Sequence, residues 1–182
     1  MNELHNLSAQ IRGDCRLLIL GSMPGTVSLA QAQYYAHPRN RFWPVMGQLC
    51  GFDPALPYPQ RLAALQAAGV GLWDVLERCR RQGSLDAAIE RGSEQVVPLV
   101  ELLPRLPQLR AIACNGATSA RLFQRHLAPE LIRLRPGLTF FSLPSTSPAH
   151  AAIDLPGLLA RWQVLLPVLG STQNAALAHK KP

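Results

Sequence analysis

Arg16-Leu17-Leu18-Ile19-Leu20-Gly21-Ser22-Met23-Pro24-Gly25 is the stretch on which the fold turns. Its first half is an unbroken apolar run, the pattern of a strand buried on both faces. Its second half turns the chain at that strand's carboxyl end, where glycine lets the backbone approach a ligand closely. Three further runs share the character of the first half: Val70 to Trp73, closing on Asp74; Arg110 to Cys114; and Thr139 to Leu143. Helical segments are predicted between them at 28–33, 42–49, 60–68, 117–126 and 155–168. Shorter ones are predicted from Gly83-Ser84 and Asp86 to Arg91, and over 97–103, capped by Ser93 and stopped by Pro104 and Pro107. Strands alternating with helices make an α/β protein: a single three-layer α/β/α domain over residues 1–169, with a short, mainly parallel four-stranded sheet. Residues 1–15 read as an amphipathic lead-in, 51–59 as a proline-rich loop and 170–182 as a disordered tail.

In open sheets of this kind the ligand lies beyond the carboxyl ends of the strands. Four segments converge there: 21–25, Asp74, Asn115-Gly116 and 144–150. Asn115 itself reads as a turn residue and helix cap.

The richest chemistry lies in Gln33-Tyr34-Tyr35-Ala36-His37-Pro38-Arg39-Asn40-Arg41-Phe42-Trp43. Aromatic faces with interleaved arginines suit a flat, polar, anionic ligand such as a nucleobase on its phosphate backbone. The plainer reading is a polar loop with Asn40 as cap of the next helix. Composition agrees with the first: the formal net charge is +7, and every basic residue except Lys180 and Lys181 and the histidines is arginine. Arginine binds phosphate bidentately and stacks on aromatic planes. The four cysteines, at 15, 50, 79 and 114, are too widely spaced for a cluster or zinc ligand set and read as small buried residues. Met1 to Asp14 is polar, and no apolar run reaches the ~18 residues of a membrane span. The expectation is a soluble protein of a reducing, cytoplasmic compartment, acting as a monomer with no cofactor, metal or membrane partner.

Three motifs together carry a family likeness: Gly-Ser-Met-Pro-Gly at 21–25, Tyr-Tyr-x-His-Pro-x-Asn-x-Phe-Trp at 34–43, and Leu-Pro-Ser-Thr-Ser-Pro-Ala at 143–149. The chain resembles the uracil-DNA glycosylase superfamily over about residues 16–165, and within it the hypoxanthine-DNA (deoxyinosine) glycosylase branch. That likeness implies damaged DNA as partner and hydrolysis of the N-glycosidic bond of a flipped, deaminated base. It departs from the wider superfamily at Met23, where uracil-cleaving members place a water-orienting aspartate or asparagine, and at Leu143, where some place a histidine. The leucine that fills the vacated base stack would align near Ser147.

The branch supplies the water-holding group from its second motif, which corresponds to Asn40. The resemblance further implies base contacts from Gly21, Ser22, Met23 and Asp74, whose carboxylate would accept the N1–H of hypoxanthine and repel N1 of adenine. Asp74 as cap of a short helix through Leu76 is the competing reading. Tyr34, Tyr35 and Phe42 are candidates for stacking the base, and His37, Arg39, Arg41, Ser145, Thr146, Ser147 and His150 for holding phosphates. Two other functions stay open, a nucleotide-binding α/β oxidoreductase and a non-catalytic DNA-binding module.

Overall fold

A computed structural model describes residues 3–170. The apolar run at 17–21 forms strand β2 (Leu17–Gly21), after a short β1 (Glu3–His5) from the lead-in. Helices α1 (Thr26–Gln31), α2 (Phe42–Cys50) and α3 (Tyr58–Ala67) lead to β3 (Val70–Asp74). Then come β4 (Leu76–Arg80), β5 (Gln95–Val96), α4 (Leu99–Leu102), β6 (Ala111–Asn115), α5 (Ala117–His126) and α6 (Ala128–Leu134). The described chain closes with β7 (Thr139–Leu143), α7 (Leu155–Trp162) and α8 (Leu166–Leu169).

The main sheet has the order β3-β2-β6-β7, and every pairing in it is parallel. Because side chains alternate along a strand, β2 serves two cores at once. Leu17 and Ile19 pack with Ala111, Ala113 and the helices α2 and α7; Leu18 and Leu20 pack with Ile112, Cys114, α5 and α6. This is the α/β/α sandwich that the alternating pattern predicts. Parallel register brings Gly21 beside Asp74, and Asn115 beside Leu143, at the same end of the sheet.

A second, antiparallel sheet, β1-β4-β5, is absent from the sequence reading. No helix starts at Asp74. The amides of Val75 and Leu76 donate to the carbonyls of Gly21 and Ser22, which keeps the chain extended into β4 and rules out the capping alternative. The segment 83–91 contains only one 3-10 turn, Asp86–Ala88. Ser93 caps nothing: its hydroxyl donates to Glu90 and accepts from the Arg80 amide, and α4 begins after Pro98. Pro104 does not stop that segment, since a 3-10 turn accepts proline in its first positions and runs Leu103–Arg105. Pro167 splits the closing helix, because proline has no amide hydrogen to continue the ladder; a 3-10 turn at Gln163–Leu165 joins the pieces. The tail reading, 170–182, falls outside the described residues at every position but Gly170.

Arg81 is the strut of the pocket turn. It is 2% exposed and donates to the carbonyls of Met23, Pro24 and Gly83, with Asp86 at 3.9 Å. Arg81→Met would strip those carbonyls of their donors and leave Asp86 without its counter-charge. Such losses typically cost ~3 kcal/mol, and the drop is expected in urea denaturation. A loss below about 1 kcal/mol, within the range of a surface pair, would mean that the strut carries little.

Candidate active site

The carboxyl ends of β2, β3, β6 and β7 open into a cavity of about 320 Å³. Its walls are the 21–28 turn, Tyr34 and Tyr35, His37, Asn40, Asp74, the 84–86 loop, Asn115 and the 145–150 loop. Distant motifs of the sequence therefore meet at one place.

Asp74 forms its floor. The residue is 4% exposed, and its Oδ2 is buried with no hydrogen-bond partner. A Cβ at position 21 would stand 2.5 Å from Asp74 Oδ1, so only glycine lets β2 pass. Burial is the main reason its pKa rises to about 8; nearby Asp86 adds to the rise and Arg81 opposes it. Burial thus favours the neutral acid over the ionised carboxylate that the resemblance implies. Asp86 accepts a 2.7 Å hydrogen bond from Ser22 Oγ, and burial pushes its pKa up as well.

Tyr35 adopts φ +55°, a left-handed conformation uncommon outside glycine. Its ring stacks on Phe42 at 3.9 Å between centroids, while its hydroxyl faces Asp74 and Asn115 without a hydrogen bond of normal geometry. Phe42 is fully buried and lines no part of the cavity; Tyr34 is 3% exposed and donates to the carbonyls of Leu7 and Ser8. Phe42 is thus core, its ring stacked on Tyr35 and met edge-on by Trp43 and Trp162, whereas Tyr34, though buried and tethered through its hydroxyl, lines the cavity beside Tyr35.

Asn40, Thr146 and Asn115 form a hydrogen-bonded chain. Asn115 Nδ2 donates to Thr146 Oγ1 at 2.9 Å, and that hydroxyl donates to Asn40 Oδ1 at 2.9 Å. Asn115 Oδ1 accepts from the Thr146 amide, and Asn40 Oδ1 accepts from the Phe42 amide, both at 3.0 Å. Asn40 therefore does take part in capping: it supports the start of α2 although Arg41 holds the cap position. Asn115 is no cap, since Gly116 (φ +103°) occupies that position. Thr146 is 0% exposed, which corrects its assignment as a DNA contact.

Arg41 is likewise turned inward. Its guanidinium donates to the carbonyls of Ser147, His150 and Ile153, pinning the 144–153 loop instead of meeting phosphate. Arg39 is exposed, and its amide donates to His37 Nδ1. In neutral His37 this places the proton on Nε2. Ser145 and Ser147 each accept an amide two residues on, which leaves each hydroxyl hydrogen free for an outside acceptor. His150 lies on the rim with Nε2 buried and unpartnered. Met23, buried beside Ser22, offers no polar atom that could orient water.

The model of the uracil DNA glycosylase superfamily matches residues 9–164, which contain all of this machinery. The chain belongs to that superfamily. It is 39% identical over 104 residues to a hypoxanthine DNA glycosylase of Methanosarcina barkeri, a match covering 57% of this chain and 65% of that protein. A second hypoxanthine DNA glycosylase, from Methanosarcina acetivorans, is 38% identical over 101 residues, with 55% and 63% covered. The match thus spans slightly less than two thirds of each relative. The solution NMR structure of a candidate uracil DNA glycosylase from Methanosarcina acetivorans superimposes with a TM-score of 0.77 at 28% identity, over 92% of this chain and 99% of that one.

Within this superfamily member, sequence reading missed Arg81, Asp86 and Leu85, and misread Asn115. The three on 81–86 follow β4, whose Leu-Glu-Arg-Cys-Arg run has no strict alternation, so local pattern carried no clear signal for them. No helix among the described residues is long and apolar enough to cross a membrane.

Folding is linked to protonation of Asp74. Its folded pKa lies above the ~3.9 of an unfolded aspartate, so its contribution is fully present below that value and is lost as pH rises through about 8. Asp74→Asn abolishes this titration. The variant should gain melting temperature on the parent steadily between pH 5 and 8; parallel melting curves across that range would show that Asp74 is ionised throughout.

Proposed function

We propose that this chain is a DNA glycosylase that flips a deaminated base out of the helix and hydrolyses its N-glycosidic bond, with hypoxanthine as the preferred base. One observation carries the reading: three buried polar atoms without partners, Tyr35 Oη, Asp74 Oδ2 and His150 Nε2, belong to residues lining the same cavity. Buried polar groups are nearly always satisfied, so a cluster of orphans around a cavity calls for a polar ligand. The names of the two Methanosarcina relatives support the choice of hypoxanthine.

A neutral Asp74 fits that base better than a carboxylate would. Its C=O accepts N1–H while its O–H donates to O6, so both atoms of the edge are met by one side chain. The same acid no longer repels N1 of adenine. Refusal of normal adenine then falls to extrusion, because a mismatched or damaged base is cheaper to unstack than a sound A·T pair.

Extrusion leaves a gap in the stack. Leu85 is 60% exposed at the cavity mouth, and its neighbours are fixed: Ser84 Oγ accepts from the Thr26 amide and Asp86 from Ser22. An apolar side chain held rigidly at a DNA-facing rim is suited to wedge between bases. This assigns to Leu85 the task for which the 143–149 motif offers only Ser147.

A denaturing gel assay over duplexes carrying hypoxanthine, uracil or xanthine tests the proposal. Single-turnover base release should be fastest for hypoxanthine. The strand should stay intact until alkali is added, since a lyase step needs an amine and the lysines are confined to 180 and 181. No release from any of the three would refute the enzyme reading, and release led by uracil would refute the base preference. Leu85→Ala should slow excision from duplex by ~10-fold or more, the scale of a few lost kcal/mol, and spare excision from single strands. Equal slowing on both would remove Leu85 from the flipping step.

A further inference from the structure

We propose that Asn40 meets the substrate as a hydrogen-bond donor, through Nδ2, to the departing base, and not as the acceptor that holds the attacking water. The inference rests on the glycosylase reading and concerns how its central residue works.

The polarity of the network decides it. A main-chain N–H can only donate, so the atom of Asn40 facing the Phe42 amide is its oxygen, and the atom of Asn115 facing the Thr146 amide is also its oxygen. Asn115 must then give Nδ2–H to Thr146 Oγ1. With that lone pair used, the hydroxyl turns its own hydrogen to Asn40 Oδ1. Two amide hydrogens at the ends thus fix every donor and acceptor between them. A carbonyl oxygen has two lone pairs, and both on Asn40 are engaged. What remains for the cavity is its NH₂ group. Thr146, enclosed and 0% exposed, acts here as a positioning residue.

The chemistry suits a donor. As the C1′–N9 bond breaks, its electron pair goes to the base and the sugar becomes cation-like. Water adds its oxygen to C1′, and one water proton ends on the base, giving free hypoxanthine and an abasic sugar. Negative charge therefore grows on the purine, whose N3 and N7 are acceptors. A fixed N–H aimed at one of them is stronger in the transition state than in the ground state. Asn40 gains and loses no proton.

The test is a pair of substitutions that the two readings rank oppositely. In single-turnover excision of hypoxanthine, Asn40→Ala and Asn40→Asp should each fall ~10²-fold or more, the loss expected for one preorganised donor, and lie within about threefold of each other. Asn40→Asp keeps an oxygen for Phe42 and Thr146 but presents a second oxygen where the donor stood. If Asn40→Asp outruns Asn40→Ala by roughly tenfold or more, an oxygen is holding water and the inference fails. A second arm does not depend on Asn40→Asp folding. Substrates with 3-deaza- or 7-deazahypoxanthine lack one acceptor each. One of them should slow the parent markedly more than it slows Asn40→Ala, and additive losses for both analogues would overturn the proposal. If the parental chain excises no base from any substrate, the glycosylase reading falls first and this one with it.

Discussion

The burial of β2 on both faces is the constraint on which the rest depends. A strand enclosed from either side cannot slip in register without moving apolar side chains from one core to the other and opening both. Leu17 and Ile19 belong to one core, Leu18 and Leu20 to its opposite. Once β2 is fixed, Gly21 is fixed, and the parallel partners set Asp74 alongside it. The floor of the cavity is thus placed by hydrophobic packing well before any polar contact refines it.

The walls are placed differently. Arg16, Arg41, Arg81 and Arg135 all spend guanidinium donors on main-chain carbonyls, holding turns that have no ladder of their own. One arginine can satisfy several carbonyls at once because its donors form a planar fork. The chain's preference for arginine over lysine is therefore partly architectural. Reading the whole excess as phosphate-binding charge overstates the surface available to DNA, and Arg41 is the clearest instance.

The main sheet was legible because its strands are short, mostly apolar runs bounded by turn-forming residues. The small sheet was not: β4 has a solvent side, and its Leu-Glu-Arg-Cys-Arg pattern is as compatible with a helix as with a strand. Within the site, a strand-end position pointed to Asp74 and the 34–43 motif to Asn40. Which rings would be core and which would line the cavity depended on tertiary stacking, and the protonation of Asp74 on burial. Neither is written in local sequence. Asn115 was discounted because Asn-Gly is an ordinary turn signal, yet its side chain reaches Thr146 across 31 positions of the chain.

Asn40 and Thr146 are 106 residues apart, and their hydrogen bond closes the site. Contacts of such long span form late, since the loop they close must first lose its freedom. During synthesis from the N-terminus, the pocket turn and the Asn40 segment emerge long before β7 and the loop that carries Thr146. The nascent chain therefore holds the pieces of the site apart until the last strand of the sheet docks. A chain interrupted before β7 lacks Thr146, so the hydrogen-bonded run from Asn115 to Asn40 cannot form in it.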